Sequence, residues 1–155
     1  MNKYGFTVMA FVVASLAVFA AQPSSSPQPI SPNAGTMWAS GDVMGRSYET
    51  TLLLSDVTNA PVWAANQDNP PLSVRKAERL ATKSLAGTLG SLNGWKRAND
   101  ITLCEYLEGQ GYWIYQFQFD GPTYQLPNGS TSRSLLTVFV MMNGKVVGPQ
   151  PWKRK

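Results

Sequence analysis

The sequence of 155 residues contains no histidine and only one cysteine, Cys104. Without histidine the chain cannot use Ser-His or Cys-His catalysis, and it cannot form a zinc site with a histidine ligand. A single cysteine excludes both an intrachain disulfide and a zinc site built from several thiolates. Cys104 lies in a run with the character of a β-strand, so we interpret it as a small core residue. The sequence therefore predicts neither a metal nor a cofactor.

Charged residues are also few, with 13 Lys and Arg against 9 Asp and Glu. The densest basic cluster is Lys-Arg-Lys at residues 153–155. This cluster has too few residues for a nucleic-acid footprint, so we expect no nucleic-acid partner. Charge runs of this kind are usually solvated, and we therefore interpret it as a solubilising tail.

The nine carboxylates are the remaining candidates for catalysis. Glycosidases need two carboxylates at a defined separation. Glu108 and Asp120 lie at opposite ends of one predicted strand, which places them too far apart for that chemistry. Glu105 lies within a strand, and Asp100 lies beside a turn, where aspartate is common for local reasons. This favours a protein without enzymatic activity, and a weak carboxylate-dependent hydrolase is the alternative.

Residues 1–35 predict a targeting segment followed by a spacer. Lys3 precedes an almost wholly apolar run of about 16 residues, shorter than the roughly 20 residues that span a bilayer. We expect residues 1–20 to be a signal peptide cut between Ala20 and Ala21, which leaves a secreted or periplasmic protein with no stable membrane span. A retained N-terminal membrane anchor is the alternative. Residues 21–35 are rich in proline and serine and predict a disordered spacer.

One amphipathic helix is predicted over residues 72–92. Apolar residues recur there at spacings of three and four, which is typical of a helix lying on a core. Ser73 can cap the first turn, and Gly90 or Gly94 can supply a left-handed exit. The opposite side of the helix carries the basic residues Arg75, Lys76, Arg79 and Lys83.

The other segments of a single domain, residues 36–152, predict an antiparallel sheet. The predicted strands cover residues 46–55, 95–107, 112–119, 134–142 and 145–147. Residues 55–71 and 120–133 are predicted to be long loops, and Trp63 in the first of them is expected to cover one end of the core. Asn128 in the second begins a glycosylation sequon. The predicted fold class is α+β, with one amphipathic helix packed on a four- or five-stranded antiparallel sheet.

Two strands predict how the faces of this sheet are used. In residues 112–119 an aromatic row alternates with other residues, and we place this row beneath the helix. It consists of Trp113, Tyr115, Phe117 and Phe119. Residues 135–142 are apolar on both faces, but the chain supplies only one helix. Either the segment around Trp38 covers the second face, or that face binds a partner or another copy of the chain. The candidate residues for such a face are Ile114, Phe139 and Met141, and the alternative is that they belong to the core.

The segments LSVRKAERLA, YWIYQFQF and LLTVFVMMNGKVVG follow one another within residues 70–148. In this order they resemble the PepSY-type module of exported bacterial proteins, and more loosely the helix on a curved sheet of cystatin-like folds. The sequence departs from the PepSY pattern at residues 141–143, Met-Met-Asn, where that pattern usually has an acidic residue. The resemblance implies a non-enzymatic domain without catalytic residues, of a kind sometimes linked to inhibiting or chaperoning peptidases.

These observations together predict an exported interaction module. Its expected partner is another envelope protein, such as a peptidase, which it would bind or inhibit. A structural envelope protein that acts by self-association is a further alternative.

Overall fold

This computed structural model describes residues 37–64 and 66–152, which contain seven strands and two helices joined by turns and loops. The predicted signal peptide, spacer and basic tail lie outside these residues. The elements are β1 (Met37–Val43), β2 (Arg46–Leu52), α1 (Leu54–Thr58), α2 (Val74–Leu89), β3 (Lys96–Leu107), β4 (Tyr112–Gln125), β5 (Thr131–Met141), β6 (Val146–Val147) and β7 (Gln150–Pro151). All the strand pairs are antiparallel, in the order β3-β4-β5-β1-β2-β7, and β6 also pairs with β5. The predicted α+β class is confirmed, although the sheet has more strands than expected. Neither described helix is both long and apolar enough to cross a membrane.

Helix α2 is the amphipathic helix that the sequence predicts, although it is shorter at both ends. Ser73 occupies the N-cap position, but its side chain makes no capping hydrogen bond. Its carbonyl oxygen accepts from the backbone N–H groups of Lys76 and Ala77, as in any helix. Gly90 has a φ of 75° and ends the helix, as expected for a left-handed exit. The stripe of Ala77, Ala81 and Leu85 is fully buried against β4 and β5.

Strands β4 and β5 correct the prediction of a long loop at residues 120–133. Their ladder continues to the pair Gln125 and Thr131, after an irregularity between Asp120 and Thr123. Gly121 lies in this irregular part, where an added Cβ would come within 2.6 Å of the Trp95 ring. The glycine and proline there mark a β-bulge, and the loop is confined to residues 126–130.

Strand β1 forms in a segment for which no strand is predicted. It pairs with β2 through the two-residue turn Met44-Gly45, in which both φ angles are positive, 50° and 82°. Its ladder with β5 is limited to the pair Asp42 and Leu135. Gly41 permits this approach, because an added Cβ would collide with the carbonyl oxygen of Leu135. Beyond this point the hairpin leaves the edge of β5, which β6 then occupies.

The β1–β2 hairpin and α1 cover the sheet face opposite α2. Residues directly opposed in an antiparallel ladder share a face, so Ile114 and Met141 lie together, as do Gln116 and Phe139. Ile114, Phe139 and Met141 are at most 1% exposed. The N-terminal hairpin supplies the cover that the single helix cannot give. These three residues therefore lie in the core of the folded chain, which is the alternative to a partner-binding face that the sequence left open.

Most of the aromatic row on β4 lies beneath α2, as predicted. Tyr115, Phe117 and Phe119 are buried, and the Tyr115 hydroxyl donates to the carbonyl oxygen of Leu72, 2.9 Å away, just before the helix. Trp113 differs from the prediction. It is half-buried and packs against Trp63 of the loop that follows α1.

Candidate functional site

A groove of about 630 Å³ lies between the loop that follows α1 and the turn that joins β3 to β4. The loop contributes Val62, Trp63, Ala64 and Gln67, and the strands and their turn contribute Leu103, Glu105, Gly109, Gln110, Gly111 and Trp113. Most of this surface is apolar or aromatic. A concave apolar surface with a few polar groups is the usual form of a binding site.

The tryptophans Trp63 and Trp113 form one wall of the groove. Their ring centroids are 5.5 Å apart and their planes meet at 64°, an edge-to-face arrangement. The backbone N–H of Trp63 donates to the carbonyl oxygen of Gly111, and its indole Nε1–H donates to the carbonyl oxygen of Gln67, each over 2.9 Å. Trp63 is thus fixed at its backbone and at its ring, which leaves the groove with a preformed aromatic surface.

Glu105 is the one charged residue among those that line the groove. The ladder between β3 and β4 places it directly opposite Trp113, on the same face of the sheet. Its Oε1 accepts a hydrogen bond of 2.8 Å from the backbone N–H of Gly111. Within residues 37–64 and 66–152 this carboxylate makes no other hydrogen bond and no ion pair. A negative charge with spare acceptor capacity therefore lies beside two indole rings.

Gly111 allows the two sides of the groove to meet. Its φ is 74°, and an added Cβ would lie 2.6 Å from a methyl carbon of Val62 and 3.0 Å from the carbonyl oxygen of Trp63. Only glycine combines this backbone conformation with so close an approach. The shape of the groove thus depends on this position.

The groove is suited to binding a cation. Aromatic faces attract cations through their quadrupole, and a neighbouring carboxylate adds a direct charge interaction. Metal binding has less support, since the described part of the chain contains no group of three or more potential metal-ligating side chains. Cys104 lies outside the groove lining, and burial raises the pKa of its thiol, which disfavours the reactive thiolate form.

The sequence predictions do not identify this groove. They treat Trp63 as a cover for the core and place Trp113 beneath the helix, whereas the structure brings the two together. Ile114, Phe139 and Met141, the predicted partner-binding residues, contribute nothing to its lining. The sequence offers two signals, the apolar pair Val62-Trp63 in an otherwise polar loop and the Glu-Gly-Gln-Gly turn at residues 108–111. Neither signal predicts that the loop packs against the turn.

The chain was also compared with known proteins. No family model, no curated protein and no solved structure matches it.

Proposed function

We propose that this protein is an exported interaction module that binds a lysine or arginine side chain of a partner protein in the groove between Trp63 and Trp113. The observation that carries the proposal is the position of Glu105, the sole charged group in a groove whose wall is two indole rings. A basic side chain there would meet a carboxylate and an aromatic face together. Cation–π contacts and charge-assisted hydrogen bonds both strengthen where water is partly excluded.

The strand beside the groove favours a protein partner over a small free cation. β3 carries Leu103 and Glu105, and among the described strands it pairs with β4 alone. An open strand edge can pair with an extended segment of another chain, and a side chain of that segment then enters the adjacent groove. This agrees with the interaction role that the PepSY resemblance implies. Export, and a partner in the envelope, rest on the predicted signal peptide.

The hydrolase alternative has less support from the groove. Glycoside hydrolysis by carboxylates requires a second acid facing the first, with room for substrate between them. Among the residues that line the groove, Glu105 is the single acid. The geometry therefore supports binding better than hydrolysis.

Tryptophan fluorescence of the full-length protein tests the proposal. The probes are acetyl-Gly-Lys-Gly-amide and its norleucine analogue, which has a similar apolar stem without the charge. We expect the lysine peptide to bind at least about tenfold more tightly, a difference of about 1.4 kcal/mol. Glu105→Gln keeps an acceptor for the Gly111 N–H but removes the charge. It should weaken lysine binding about tenfold and leave norleucine binding unchanged.

Glu108→Gln is the matched control. Glu108 is an exposed carboxylate in the same turn, but it does not line the groove. It should bind the lysine peptide as the wild type does. The proposal fails if the norleucine peptide binds as tightly as the lysine peptide, or if the two variants lose affinity equally.

A further inference from the structure

We propose that the outer face of α2 is a docking surface for a membrane rich in anionic phospholipids. This inference does not depend on the groove. The basic stripe consists of Arg75, Lys76, Arg79 and Lys83, all of them exposed. Within the described part of the chain none of the four forms an ion pair, and the one carboxylate of α2, Glu78, pairs instead with Arg97 of β3 at 2.6 Å.

The basic stripe is arranged against the stability of its own helix. Arg75 and Lys76 lie in the first turn, where the helix dipole is positive and where α2 has no acidic residue. Arg75 and Arg79 are four residues apart, as are Arg79 and Lys83, and like charges at this spacing repel. Arg and Lys have high intrinsic helix propensity, but neither the helix dipole nor this spacing favours their charges. A binding partner of opposite charge accounts for the charges, since functional positions are where local rules are commonly broken.

The distribution of charge over the folded chain also favours an anionic partner for α2. Residues 37–152 contain nine Lys and Arg and nine Asp and Glu, so this part of the chain has no net charge. Four of the nine basic residues nevertheless lie in the basic stripe. A local concentration of one sign creates a field that attracts an oppositely charged surface even when the net charge is zero.

The shape of the stripe favours a flat partner. From Arg75 to Lys83 it extends about 12 Å along the axis and covers about 100° of the helix circumference. It is convex, and neither the groove of about 630 Å³ nor a smaller one of about 330 Å³ is lined by any of its residues. A compact anion would reach one or two of these side chains, whereas a bilayer surface presents phosphates to all four. Each such Lys or Arg adds to the attraction.

Vesicle sedimentation of the full-length protein tests this inference. The partition coefficient is measured on phosphatidylglycerol–phosphatidylcholine vesicles and on pure phosphatidylcholine vesicles, and the ratio of the two is compared between variants. Any contribution that the apolar N-terminal segment makes equally to both partition coefficients cancels in this ratio. We expect a ratio well above one that falls as salt rises. Arg75→Gln/Arg79→Gln should lower it roughly 10- to 30-fold.

Arg46→Gln/Lys96→Gln is the matched control, because it removes the same charge from exposed positions outside α2. Its ratio should stay within about threefold of the wild type. Thermal melting should show both variants folded, and the α2 variant no less stable than the wild type, since it relieves like-charge contacts. Equal losses in the two variants, no loss in the α2 variant, or binding of soluble polyphosphate without a preference for anionic vesicles would each overturn the proposal.

Discussion

The backbone of Gly111 connects the two sides of the groove. Its N–H donates to Glu105 on β3, and its carbonyl oxygen accepts from the backbone N–H of Trp63 in the opposing loop. One glycine thus holds both the Glu105 carboxylate and the backbone of Trp63, whose indole is fixed in turn by the carbonyl oxygen of Gln67. A site that is held in place before its ligand arrives loses less entropy on binding.

Tyr115 provides a test of packing at the scale of one residue. It is 4% exposed, and its hydroxyl donates to the carbonyl oxygen of Leu72. Tyr115→Phe keeps the ring but leaves that carbonyl without this donor. We expect a loss of about 1–2 kcal/mol in the free energy of unfolding, measured by urea denaturation. An unchanged midpoint would show that this hydrogen bond does not help to hold the start of α2 on the sheet.

The same hydroxyl predicts a pH dependence. Burial raises the pKa of Tyr115 above its ordinary value of 10.0, and burial is also the largest cause of a raised pKa at Tyr106. The unfolded chain then loses these protons at a lower pH than the folded chain. Stability is therefore fully present below pH 10 and falls as the pH rises above it. Tyr115→Phe should make this decline shallower, and an equally steep decline would contradict the assignment to Tyr115.

At the scale of elements, the centre of the sheet should be equally sensitive to substitution on its two faces. Phe117 of the neighbouring strand β4 faces α2, and Phe139 of β5 faces the β1–β2 hairpin; the two are at most 1% exposed. Phe117→Ala and Phe139→Ala should each cost about 3–5 kcal/mol in urea unfolding. Thr102→Ala, at an exposed position on β3, should cost about 0.5 kcal/mol or less. A small loss at Phe139 alone would mean that the hairpin does not cover the second face.

The elements that the sequence predicts well are those with a strong period. Helix α2 has an uninterrupted apolar stripe, and β4 alternates over residues 112–119. Strand β1 has neither signal, because Gly, Ser and Asp interrupt it. Its turn, Met44-Gly45, lacks the Asn-Gly or Asp-Gly pair that usually marks a two-residue hairpin. β1 forms because its partner strand and the uncovered face of β5 hold it in place, and these are tertiary contacts that no local pattern contains.

At the scale of the whole molecule, charge is separated although the described chain is neutral. Glu105 lies in the groove, and Glu108 follows in the adjoining turn, while the basic stripe lies on α2. The two surfaces thus favour ligands of opposite charge.

The candidate site could not be predicted from sequence, because Trp63 and Trp113 are fifty residues apart and meet only when the loop packs on the β3–β4 turn.

Nuclear magnetic resonance of the ¹⁵N-labelled full-length protein tests the central claim most directly. Trp63, Trp113 and Gly111 each provide an N–H signal within the groove, while Trp95 and Trp152 lie outside its lining and serve as internal references. Titration with acetyl-Gly-Lys-Gly-amide should shift the three groove signals in a saturable way and leave the two references in place. The norleucine peptide should shift them far less. Larger shifts at Trp95 or Trp152, or equal responses to the two peptides, would contradict a cation-binding groove.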